Sequence, residues 1–134
     1  MPRWVSLALA GSLLAGCAAG SREDVASMIA TATPPTGEVK ARLATDGGSL
    51  LLYPYAIQDP EISYVGAMSN GSRWVCVRAL TGSPVEGFTR RHAIAVLGSD
   101  TTLIGTQTNC PTCTDPALRW LPFPELEGGA ELAG

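Results

Sequence analysis

The chain predicts an α+β domain, with one or two short N-terminal helices followed by a small antiparallel β-meander. Three observations carry that expectation. From residue 49 onward the sequence breaks into short apolar runs separated by turn residues, the spacing of neighbouring antiparallel strands. One of these runs, Arg73-Trp74-Val75-Cys76-Val77-Arg78-Ala79-Leu80, alternates with period two. Ahead of the runs lie two segments of helix-forming residues with no such alternation.

The first helix is expected over Val25-Ala26-Ser27-Met28-Ile29-Ala30, entered through Arg22-Glu23-Asp24, with Ser21 as its N-cap and the two acidic residues near the positive end of the dipole. Only two or three turns long, it is marginal without packing, and Pro34-Pro35 stops any continuation. Residues 18–36 therefore read mainly as a tether. A second short helix is expected from Thr36 through Leu43, where Val39 and Leu43 form an i, i+4 apolar pair and Asp46-Gly47-Gly48 supplies a stop.

The strands follow. Residues 49–57 form a first apolar run that Pro54 demotes to an edge or bent piece. Residues 61–68 form the second, and Ser69-Asn70-Gly71-Ser72 makes the turn into 73–80. In that third strand Arg78 interrupts the face of Trp74 and Cys76, so the face of Val75, Val77 and Ala79 is expected to look into the core. A loop over 81–89 leads to 90–98, and Gly98-Ser99-Asp100 reads as a hairpin into 101–108. Beyond Cys113, Trp120, Leu121 and Phe123 are candidates to pack back onto the domain. The segment 123–134, acidic and glycine-containing, reads as a flexible tail.

Charge and aromatic content exclude one large class. Nine basic residues face twelve acidic ones, and aromatics make up 6% of the chain, so there is neither a general counterion-displacing surface nor a set of stacking platforms for nucleic acid.

The N-terminus speaks of location. Met1-Pro2-Arg3 carries one positive charge, and the run from Trp4 to Ala15 carries none, ending in Leu14-Ala15-Gly16-Cys17. A short basic start, an apolar core and small residues at a cut form a secretory signal, and the run falls short of the ~20 residues a membrane span needs. "LAGC" at 14–17 resembles the lipobox of bacterial lipoproteins. The resemblance implies cleavage after residue 16, a diacylglycerol thioether on Cys17 and a further acyl chain, such as palmitate, on its new amino group. Several chains on one residue hold far more firmly than a single myristoyl chain. Ala18 in place of an aspartate favours the outer membrane, at its periplasmic face, over the inner one. The remaining 118 residues (134 minus 16) suit one small domain, taken as 37–122, and loss of Arg3 leaves eight basic against twelve acidic residues, a net charge of −4.

The centre of the chain carries a wider resemblance. Tyr53-Pro54-Tyr55-Ala56-Ile57-Gln58-Asp59-Pro60-Glu61-Ile62-Ser63, then Trp74-Val75-Cys76-Val77-Arg78-Ala79-Leu80, then Gly87-Phe88-Thr89, resemble segments of a group of small uncharacterised envelope lipoproteins of Gram-negative bacteria. In that pattern aspartate stands at the position of Tyr53, and a polar "N-A-K-N" extension stands where this chain has Leu80-Thr81-Gly82-Ser83. The resemblance implies an exported sheet domain whose strand cysteine can pair with one near the C-terminus, and it brings no catalytic residue.

With Cys17 lipidated, Cys76, Cys110 and Cys113 remain in an oxidising compartment. A structural disulfide from Cys76 is the expected use, with Cys110 the preferred partner and Cys113 the alternative; the sequence does not choose. Cys110-Pro111-Thr112-Cys113 also has thiol-exchange and metal spacing. Exchange needs a thiolate activated at a helix N-terminus, and the following "TDPALRW" offers barely a turn before Pro122. A structural zinc would need four ligands, with only Cys76 and His92 to join the pair.

Arg90-Arg91-His92 with Arg73 and Arg78 forms a locally basic set, read as the solvated side of strands or a surface for an acidic partner or lipid headgroups. His92 is the only histidine, and no G-x-S-x-G accompanies it. Asp59 with Glu61 reads as a turn, Glu125 with Glu127 as tail. The expectation is thus a lipid-anchored, non-enzymatic interaction or assembly module, without catalytic residues, metal or cofactor, whose partners are the membrane and an envelope protein. The alternatives are an exported thiol-disulfide or metal-binding factor using Cys110 and Cys113, and a ligand binder with a pocket beneath 81–89.

Overall fold

The computed structural model describes residues 22–50 and 56–126. Helices α1 (Arg22–Ala30) and α2 (Gly37–Leu50) precede strands β1 (Ala56–Ser63), β2 (Gly66–Ala67), β3 (Arg73–Ser83), β4 (Gly87–Leu97), β5 (Leu103–Thr108) and β6 (Trp120–Pro122), with one 3-10 turn at Pro111–Thr114. The described strands form one antiparallel sheet in the order β5-β4-β3-β1-β6, and β2 pairs with β3 beside the end of β1. Strands β3, β4 and β5 are the expected meander. Strand β6 returns across the molecule to pair with β1, a non-local closure that no local pattern announces.

The valine face of β3 is buried as expected. Val75, Val77 and Ala79 pack with Ile57, Ile62, Ala93, Ala95, Leu97 and Phe123, and α2 covers them through Val39 and Leu43. The opposite face is also covered, which the interruption at Arg78 conceals. Trp74 and Cys76 meet Ile94, Cys113 and Leu118 beneath α1, which contributes Ile29 with Val25 and Met28 at the margin. Gly66 permits this packing, because a Cβ there would overlap the Trp74 indole.

Packing also explains where the elements depart from expectation. Helix α1 is no mere tether, since its apolar side lies on the second face and Thr33 bridges to Val65 in both directions. The sheet domain therefore begins before residue 37. Its expected cap, Ser21, lies outside the described residues, as do Pro54 and the signal segment. Thr36 Oγ1 accepts the Val39 N–H and caps α2. That helix continues through Asp46-Gly47-Gly48 to Leu50 instead of stopping there. Glycine disfavours a helix by only about 1 kcal/mol, less than burial of Val39 and Leu43 contributes. The first apolar run is accordingly split: its start ends α2, and only Ala56 and Ile57 enter β1.

Pro60 sits within β1, where a bulge between Gln58 and Glu61 removes the need for its missing N–H, with Asp59 at φ 51°. The loop expected over 81–89 shrinks to Pro84-Val85-Glu86, because β3 and β4 stay paired out to Ser83 and Gly87. Both other turns form as read: the Met68 N–H donates to the Ser72 carbonyl at 2.8 Å, and the Gly98 N–H to the Thr102 carbonyl at 2.8 Å. The tail is shorter than expected, since Phe123 and Leu126 are fully buried in the main core. Residues 127–134 lie outside the described set.

Candidate functional site

The cysteines come first. Cys76 is joined to Cys113, with Cα atoms 5.6 Å apart, so the bridge forms with the alternative partner and not with Cys110. The reason lies in the 3-10 turn. Asn109, at φ 59°, swings the chain off the end of β5, and one tight turn from Pro111 then delivers Cys113 beneath the second face, where Cys76 points. Cys110 is fully buried nearby. Two consequences follow for the Cys-x-x-Cys reading. Cys113 is almost wholly buried and its sulfur is bonded across the sheet. The turn that contains it is four residues long, too short to activate a thiolate through a helix dipole. Among the described residues no three His, Cys, Asp or Glu side chains converge as a metal site would require.

Ser63 completes this region. Its fully buried Oγ accepts the Cys76 N–H at 2.8 Å and donates to the Tyr64 carbonyl at 2.9 Å. The hydroxyl thus replaces a backbone partner where β1 parts from β3.

The basic set divides in two. Arg73 belongs to the far end of β3, where its Nη2 donates to the Gly98 carbonyl at 3.2 Å and to Thr101 Oγ1 at 2.7 Å and fastens the β4–β5 turn. Arg78, Arg90 and His92 share the second face near the β3–β4 hairpin, because the register pairs Arg78 with His92 and Leu80 with Arg90. Arg78 lies 4.0 Å over the Trp120 ring and donates from Nε to Glu61 Oε1 at 3.0 Å. Arg90 reaches the same carboxylate oxygen at 3.6 Å. Glu61, read as part of a turn with Asp59, is instead a strand residue shared by two guanidiniums, with Asp59 in the bulge beside it. Arg91, opposite Ala79, projects from the other face.

Exposed apolar groups mark the same rim: Val85 is 95% exposed at the hairpin tip and Phe88 36% exposed beside it, whereas Ile104 stands on β5. The segments 81–83 and 87–89 are paired strands, so no loop roofs a pocket there. A cavity of about 280 Å³ opens elsewhere, between α1 and the 115–119 segment, with Ala26, Ile29, Tyr64, Asp115 and Arg119 among its walls. Among the described residues no helix is long and apolar enough to cross a membrane. Cys17 lies outside the described residues.

The chain matches no protein-family model, and comparison with curated proteins and with solved structures finds no similar one.

Proposed function

We propose that this chain is a lipid-anchored cell-envelope protein whose sheet domain acts as a non-enzymatic interaction or assembly module. The observation that carries the reading is the N-terminal sequence: one basic residue, an uncharged apolar run and Leu14-Ala15-Gly16-Cys17, in that order. Acyl chains on Cys17 hold the protein at the membrane, with the periplasmic face of the outer membrane favoured. The Cys76–Cys113 bridge supports the reading, since such bonds persist in oxidising compartments. Confinement at a surface raises effective concentration, so modest affinity for an envelope partner suffices. The competing thiol-exchange or metal reading of Cys110 and Cys113 has little support from a buried cysteine already bonded to Cys76.

Mass spectrometry of the N-terminal peptide from membrane-derived protein is the test. A chain beginning at Cys17, with a diacylglyceryl thioether and an acylated amino group, is expected, and Cys17→Ser should leave the precursor uncut. Recovery of unmodified Met1 from a cytosolic pool would overturn the anchor. So would a disulfide-linked peptide joining Cys17 to Cys110, because a thioether sulfur has no bond left for a disulfide.

A further inference from the structure

Among the described residues the sheet has a gap at its basic rim. Strand β4 runs eleven residues, from Gly87 to Leu97, and β3 pairs with it along that whole length. Strand β5 covers only Ala93 to Leu97 on the other side. Between Gly87 and Arg91 every residue is exposed, and no described strand pairs with the outer edge. The last bond on that edge runs from the Asn109 N–H to the His92 carbonyl at 3.3 Å, after which the chain turns away. Backbone direction alternates along a strand, so residues sharing the orientation of His92 present their amide and carbonyl groups outward. Those residues are Phe88 and Arg90.

We propose that an extended acidic segment of a partner protein adds to the sheet along Gly87–Arg91, in line with β5, as a further strand. This deepens the interaction-module reading and rests on it. Two features of the edge select the occupant. Outward amide and carbonyl groups in strand geometry favour an extended chain of any sequence. The flanking side chains then choose among sequences: Arg90 stands on one face and Arg91 on the other, so an incoming strand meets a guanidinium whichever way its side chains point. Glu61 already serves Arg78, 3.0 Å away, and leaves Arg90, 3.6 Å away and 56% exposed, open to a second carboxylate. Phe88 adds an apolar contact on the Arg90 face.

The same arginines decide against a second copy of this chain. Pairing two such edges would bring Arg90 and Arg91 against their own kind, the device by which charged edge strands resist self-association. The acidic partner is admitted by the charge that rejects the copy.

Hydrogen exchange by NMR on the full-length protein in detergent micelles tests the proposal. In the free protein the Phe88 and Arg90 amides should exchange fast, and those of Thr89 and Arg91, which face β3, slowly. A blocked heptapeptide alternating glutamate and valine should slow Phe88 and Arg90 selectively. Its lysine-valine counterpart and a backbone N-methylated form should not. Arg90→Glu with Arg91→Glu should weaken the glutamate peptide by at least about tenfold, while protection of Val75 and Val77 shows that the sheet stays folded.

Four results would overturn the proposal: slow Phe88 and Arg90 exchange in the free protein, no response to the glutamate peptide, equal response to the lysine peptide, or concentration-dependent protection without peptide, which would mean a second copy. Binding to phosphatidylglycerol vesicles with Phe88 and Arg90 still exchanging fast would assign the rim to a lipid surface and overturn it also. Failure here leaves the lipid anchor untouched, and an unmodified Met1 leaves this edge untouched.

Discussion

The two faces of the sheet are closed by different means. One face lies under α2, fourteen residues long, and its core runs from Val39 to Leu126 on aliphatic and aromatic side chains, with the Thr81 hydroxyl buried among them. The other is covered by a nine-residue helix and one 3-10 turn, and there a disulfide and a buried hydroxyl share the task. A long cover buries enough apolar surface to hold by area alone. A short one does not, and a covalent link fixes what packing leaves loose.

The largest effect should come from opening the first face. Phe123→Ala removes a fully buried ring at the point where the chain returns to β1 and should cost about 3–5 kcal/mol in urea unfolding. A smaller loss would mean that the C-terminal return adds little to this core. Next comes the staple. Cys76→Ala with Cys113→Ala opens a separation of 37 residues and should cost about 2–4 kcal/mol, with amide protection falling more around Leu118 and Ile29 than around Val39 and Leu43. Uniform loss across both faces would show that the two act as one unit.

Ser63→Ala should cost about 1–3 kcal/mol on the stapled face, because it leaves the buried Cys76 N–H without its acceptor. The valine face gives the opposite sign at Thr81. Its Oγ1 is buried without a hydrogen-bond partner, so Thr81→Val should raise stability by about 1 kcal/mol, checked by the urea midpoint.

Smallest of all is the effect at the β4–β5 turn, which serves neither face. The Thr102 backbone amide and side chain hold the Asp100 carboxyl below the usual carboxylate range, with Arg42 a lesser cause. A carboxyl with a lowered pKa in the fold contributes stability above its unfolded pKa, about 3.9, and loses it as pH falls through the folded value. Asp100→Asn should therefore be slightly less stable than the parent at neutral pH, and the difference should vanish on acidification.

Much of the sheet was legible because its signals are local. Alternation at 73–80 marked the valine face, and Asn70-Gly71 and Gly98-Ser99-Asp100 marked their turns through backbone chemistry confined to a few residues. The errors arose where a distant partner overrode a local signal. Asp46-Gly47-Gly48 reads as a stop until Val39 and Leu43 are seen to be buried. Asp59 and Glu61 read as a turn until a bulge is seen to carry β1 through them. At the rim, sequence identified Arg78, Arg90, Arg91 and His92 together, but grouped them with Arg73, which the register places seven residues along β3 from Leu80, about 23 Å away at strand rise. Nothing in the sequence marked the edge of β4 that no described strand pairs with, because an edge is the absence of a neighbour.

By itself, the sequence determined the burial of the valine face, two of the turns and the N-terminal signature, since periodicity, turn chemistry and charge placement are properties of adjacent residues. Only the tertiary structure decided that Cys76 meets Cys113, that Phe123 and Leu126 close the core, and that β4 outruns β5. Each of these depends on segments far apart in the chain arriving at one place, and that arrival follows from the burial and backbone pairing of the whole domain.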